Sequence, residues 1–333
     1  MNAMLPRPRF WAETALQLKT RSSMLGELMV FLLLYLIATM AQGFLTAIPM
    51  TAWMMTTQSD SLLSAISAGQ SPQTIVLKLL GELPDWVILV SLFSSAALGV
   101  AALVYCLKFQ KRSLASMGLR GKALPECLLG FALGLGLLLA AFGLGSALGG
   151  FRLLEERPEA SILSLLAALL GCLVRGTALE LLLRGYLAPS LGGRYPVVFA
   201  LSMSTLLSVM LEPAGGLLDL ATLNRLLLAL LLGIWVIKRG SLWSACALHG
   251  AWLFATGFLF GFAPAGEHGG IRLLDVDADL YRPLLSGGQY GPEASLCVSL
   301  VLLAALAVIL ALKARDPAPD QTPPRRERPA NFL

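Results

Sequence analysis

Glu180 and Arg184 stand four residues apart in "ALELLLRGYL", a stretch otherwise dominated by leucine, and His249 stands in the equally apolar "SACALHGAWLF". Burying an ionisable side chain at membrane depth costs at least about 2.5–3.5 kcal/mol, so each one requires a partner or a task. Arg175 and Glu212 complete the set. A spacing of four puts Glu180 and Arg184 on one helix face within reach of each other. Arg175, five residues before Glu180, points about 140° away and needs a partner on another helix. A carboxylate, an imidazole and a guanidinium meeting in an apolar wall can ligate a metal, activate water or lock helices together. Buried ion pairs often fix an arrangement rather than a reaction, so Glu180–Arg184 reads first as a structural pair. Glu180, Glu212 and His249 together are the candidate catalytic or metal-binding set. No cofactor is assigned, although one histidine and two carboxylates would suit zinc. Glu212, at the outer end of its span before Pro213, reads as an interfacial residue facing water or, more sharply, as the partner of Arg175 across helices.

These residues must be carried by membrane helices. The chain has 333 residues, 56% hydrophobic and 14% charged, whereas a soluble protein carries about a quarter charged residues. Runs of roughly 20 apolar residues span a bilayer. Eight candidate spans follow: Leu25–Thr46, Trp86–Leu107, Glu126–Leu148, Ser161–Leu191, Pro196–Leu211, Leu223–Ile237, Ser241–Phe262 and Ala294–Leu312. The fourth is long and is expected to kink near Arg175 and Gly176. The fifth and sixth are short and are expected to be buried among the others. The fold class is therefore all-α, a polytopic integral membrane bundle of about eight helices.

Charge alternates between the connecting segments. Basic residues follow the even-numbered spans, as in Lys108, Lys111, Arg112, Arg120 and Lys122 or Lys238 and Arg239, and acidic or mixed loops fill the alternate positions. The positive-inside rule then places both termini in the cytoplasm of a plasma (inner) membrane protein. The net charge of +5 does not imply nucleic acid, because the basic residues sit at helix ends rather than in one patch. Membrane lipid is the expected surrounding. Cys106, Cys127, Cys172, Cys246 and Cys297 lack a CxxC spacing and read as small residues at lipid depth. Six glycines of span three, Gly130 to Gly149, read as close helix packing. "DVDAD", Asp275 to Asp279, lacks the glycine and final glutamate of a calcium loop and reads as solvated. The segment after Ala314, rich in Pro and charge, reads as disordered.

The polar residues and their order resemble a known family, the bacterial CPBP group related to type II CAAX prenyl endopeptidases. Glu180 to Gly185 matches its Glu-Glu-x-x-x-Arg stretch, Ser204 to Glu212 occupies its Phe-x-x-x-His stretch, and Gly240 to Phe254 is similar to its His-x-x-x-Asn helix. The basic Lys111–Lys122 segment resembles the family's linker. The resemblance implies an intramembrane metalloprotease scaffold. It also shows what has changed: Leu179 stands for the first Glu, Ser208 for the Phe, Glu212 for the first His and Leu253 for the Asn. It implies three regions: 1–110, an arm and two membrane helices; 111–263, the family-like core; and 264–333, an outer loop, last span and tail. The leading expectation is a non-catalytic or weakly active relative that binds membrane-embedded or prenylated peptide segments. The alternatives are an active endopeptidase with an altered centre and a small-molecule transporter or permease subunit.

Overall fold

A computed structural model describes residues 5–18, 23–71, 73–75, 79, 83–154, 160–211, 219–262 and 270–318. The chain is a helical membrane bundle. Its helices are α1 (Arg9–Gln17), α2 (Met24–Thr57), α3 (Ser59–Ser67), α4 (Asp85–Phe109), α5 (Ala123–Ala147), α6 (Ile162–Gly192), α7 (Val197–Leu211), α8 (Leu220–Arg239), α9 (Trp243–Phe254) and α10 (Leu296–Ala311). Each of the eight expected spans is a helix. Among the described residues, α2, α4, α5, α6 and α8 are long and apolar enough to cross a membrane, while α7 and α10 are shorter apolar helices. A π turn, Ala255–Leu259, extends α9.

Side chains fix where several helices begin. Ser23, Ser161, Asp219 and Ser295 each accept a hydrogen bond from a backbone N–H in the first turn that follows, which satisfies a donor that the helix itself cannot. Gly240 ends α8 with φ of 67°, a left-handed conformation that glycine adopts without a Cβ clash.

α9 sits between α5 and α6 and packs most extensively against them. Glycines allow this. A Cβ at Gly130 would collide with the Ser244 carbonyl, one at Gly134 with the Leu248 carbonyl, and one at Gly176 would lie 2.5 Å from the Gly250 nitrogen. Gly136 and Gly143 would meet nothing within 4 Å, so the glycine stripe of α5 is a packing face on one side only.

Several expectations are corrected. α6 runs on as α-helix through Arg175 and Gly176, the expected site of a kink, and a π turn, Leu181–Leu187, follows directly after Glu180. α8 is longer than Leu223–Ile237 and is mostly buried, whereas α7 exposes Leu206 and Met210. Part of Asp275–Asp279 is not a free loop: Val276–Ala278 pairs antiparallel with Phe151–Leu153. Arg315–Ala318 are not disordered. Arg9 N–H donates to the Asp316 carbonyl at 3.0 Å, and Ala318 N–H donates to the Arg7 carbonyl at 2.8 Å. The rest of the tail, like Glu212 and His268, lies outside the described residues.

Arg112 lies in the basic segment between α4 and α5. It is 3% exposed and donates to Thr14 Oγ1 at 3.1 Å, Ser116 O at 2.8 Å and Gly185 O at 3.1 Å. One guanidinium, with five donors in a planar fork, thus ties α1 to α6. Burial pushes its pKa down, opposed in part by Cys106 and Glu27.

Candidate functional site

The site is built on α6 and α9 where their backbones touch. Glu180 is fully buried and Arg184 is 1% exposed. Glu180 Oε1 accepts from Arg184 at 3.0 Å, and Arg184 donates again to the Ala229 carbonyl of α8 at 2.8 Å. Across the helix interface, His249 Nδ1 lies 3.0 Å from the same Glu180 Oε1. A carboxylate only accepts, so Nδ1 carries the proton and Nε2 is left for other partners. One oxygen therefore holds both a guanidinium and an imidazole. Glu180 Oε2 and Arg184 Nε are buried without a hydrogen-bond partner among the described residues. An unmatched buried polar atom costs about 1–3 kcal/mol.

Beside this cluster lies a cavity of about 170 Å³. Its polar wall includes His249, Arg175, Ser208 and Thr256, and its apolar wall includes Leu92, Leu228, Leu253 and Phe258. The structure thus brings Glu180, Arg184 and His249 into contact, and it brings Arg175, Ser208, Leu253 and His249 around one space. Leu179 is buried at 3% exposure and does not line that space. The cross-helix pairing expected of Arg175 with Glu212 falls outside the described residues.

Glu293 and Arg225 were not singled out in the sequence. Both line the cavity. Glu293 accepts from the Trp252 indole N–H at 2.8 Å, and Arg225 lies 3.6 Å from its other oxygen. The Asn224 amide donates to the Glu293 carbonyl at 2.8 Å and to that of Ser295 at 2.9 Å. The glycine-rich turn before α10 therefore closes one side of the cavity. A usable signal was present: Glu293 directly precedes an apolar span, and Trp252 lies three residues after His249.

Of the candidate zinc ligands the structure describes Glu180 and His249, and Glu212 lies outside the described residues. Among the described residues no three His, Cys, Asp or Glu groups converge, and Glu180, the carboxylate nearest His249, is already held by Arg184. Zinc sites take three or four protein ligands. No step is therefore routed through a metal.

Residues 160–255 match the family model described as Rce1-like, Type II CAAX prenyl endopeptidase Rce1-like. That segment holds Glu180, Arg184, Ser208, His249 and Leu253. No curated protein and no solved structure matches the chain.

Proposed function

We propose that this chain, which carries an Rce1-like domain of the type II CAAX prenyl endopeptidase family over residues 160–255, holds a membrane-embedded or lipidated peptide segment in its cavity without cutting the peptide bond. The observation that carries this reading is the make-up of the cavity wall. Leu253 lines it where the family motif places an Asn, and Ser208 lines it where the motif places a Phe. Peptide hydrolysis needs a base beside its water and donors aimed at the developing oxyanion. Leu253 supplies no donor. Both oxygens of Glu293 face donors, Trp252 and Arg225, rather than open cavity. The mixed wall instead suits a segment with an apolar body and a few polar groups. On this reading the protein resides in the plasma membrane with both termini in the cytoplasm.

A second reading, a weak endopeptidase, is favoured by one contact. Glu180 orients His249 through Nδ1, as a carboxylate orients a catalytic base.

The test is fluorescence anisotropy of a labelled farnesylated tetrapeptide added to the purified full-length protein, followed by mass analysis of the peptide. Saturable binding with an intact peptide is expected. Cleavage would transfer support to the second reading, and the absence of saturable binding would overturn both.

A further inference from the structure

We propose that the end of the bundle where α4 leaves and α5 enters binds the headgroups of anionic phospholipids, through Lys108, Lys111, Lys122 and Lys313. The structure divides the cations of this end into two sets. One set is engaged within the protein. Arg9 and Arg120 each lie 3.3 Å from Glu13, Arg315 lies 3.4 Å from Glu126, and Arg239 pairs with Glu126 as well. Arg112 is buried among its acceptors, and Lys238 donates to the Leu310 carbonyl. The other set is the lysines named above. Each is exposed, and among the described residues none makes an ion pair with a carboxylate. Arg120 also lies 3.6 Å from Asp316, which brings the segment after α10, and with it Lys313, against the linker that carries the other three.

The second observation is the backbone of Lys111. Its φ is 54°, the one positive value at a non-glycine among the described residues, in a region that side chains with a Cβ seldom occupy. The turn is held from inside. Arg112 N–H donates to the Cys106 carbonyl at 2.9 Å, and the Arg112 guanidinium is buried. Arg112 is drawn into the bundle while Lys111 stays exposed. Such conformations persist where the surrounding structure imposes them, and they gather at functional positions.

The kind of partner follows from what lies beside the lysines. Lys108 stands between Leu107 and Phe109, Lys122 stands two residues before Leu124, and Lys313 follows Leu312. All four of these apolar residues are exposed, Phe109 by 73% and Leu124 by 70%. A lysine lays its stem along apolar surface and keeps its ammonium in the polar layer. A soluble polyanion would meet the ammonium groups and leave Phe109 and Leu124 in water. A phospholipid covers both, its acyl chains against the apolar residues and its phosphate against the lysines. A headgroup with net negative charge is favoured over a zwitterion, by about fivefold for each lysine near the surface. The other end of the bundle lacks this imbalance, since Arg152 stands opposite Asp277 in the strand pair.

This surface uses no part of the cavity, so its test is separate from that of the peptide reading. Full-length protein in detergent is titrated with dioleoyl phosphatidylglycerol or dioleoyl phosphatidylcholine, and retained lipid is counted by native mass spectrometry. Phosphatidylglycerol should be retained at least about tenfold more tightly. The preference should shrink at about 0.5 M sodium chloride, because exposed charges are screened. It should be lost in the variant Lys108→Gln, Lys111→Gln, Lys122→Gln, Lys313→Gln, whose retention of phosphatidylcholine stays as it was, and it should survive Arg152→Gln. Equal retention of the two lipids, a preference indifferent to salt, or one unchanged in the lysine variant overturns the proposal. Displacement of phosphatidylglycerol by an equal concentration of inorganic phosphate would assign the lysines to a free anion and overturn it too.

Discussion

The charges of α6 hold one another at a depth where water cannot. Glu180 takes a guanidinium and an imidazole on one oxygen, and Arg184 passes a further bond to the Ala229 carbonyl. Removing one partner strands the other. Arg184→Leu should therefore lower the unfolding free energy, read by SDS titration, by about 3–5 kcal/mol. The double variant Glu180→Leu, Arg184→Leu should recover most of that loss, because it leaves no lone buried charge. A double variant no more stable than the single would show that the pair is not the source of the effect. The spacing of Glu180 and Arg184 made their pairing legible in the sequence, and His249 was legible as a lone imidazole in an apolar run. Glu293 was not, because its role depends on the turn of Gly287, Gly288 and Gly291, which carries it to Trp252. Arg112 was hidden in a basic run that looks solvated, and its burial follows from α1 folding over it.

α5 illustrates what the helices contribute. Gly134 faces the Leu248 carbonyl and Gly136 faces open space. Gly134→Leu should cost about 1–3 kcal/mol by forcing α5 away from α9. Gly136→Ala should instead stabilise by up to about 1 kcal/mol, through helix propensity alone. Equal effects at the two positions, measured by the same SDS titration, would contradict the packing face described. The apolar runs marked the helices because their length is set by the bilayer. The π turn after Glu180 left no such mark. Neither did the pairing of Phe151–Leu153 with Val276–Ala278, since three residues are too few to show an alternating pattern. α2 ran past its expected end because its apolar character continues to Thr57, through Pro49.

At the scale of the molecule, the segment before α1 meets the segment after α10. Pro8 and Pro317 form a bridge, and Lys238 donates to the Leu310 carbonyl at 2.9 Å beneath them. If this end is cytoplasmic, a cysteine introduced by Gln17→Cys should resist a membrane-impermeant maleimide in intact cells. One introduced by Tyr281→Cys, at a residue 97% exposed, should react; the reverse pattern would invert the topology. The central claim concerns what enters between α6, α7 and α9. A farnesylated peptide carrying a photoreactive group beside its lipid, crosslinked to the full-length protein and mapped by mass spectrometry, tests it most directly. The account predicts attachment at cavity residues such as Ser208, Leu253 and Thr256, with the peptide chain whole. Attachment spread instead along the lipid-facing side of α2, with none at those residues, would contradict it.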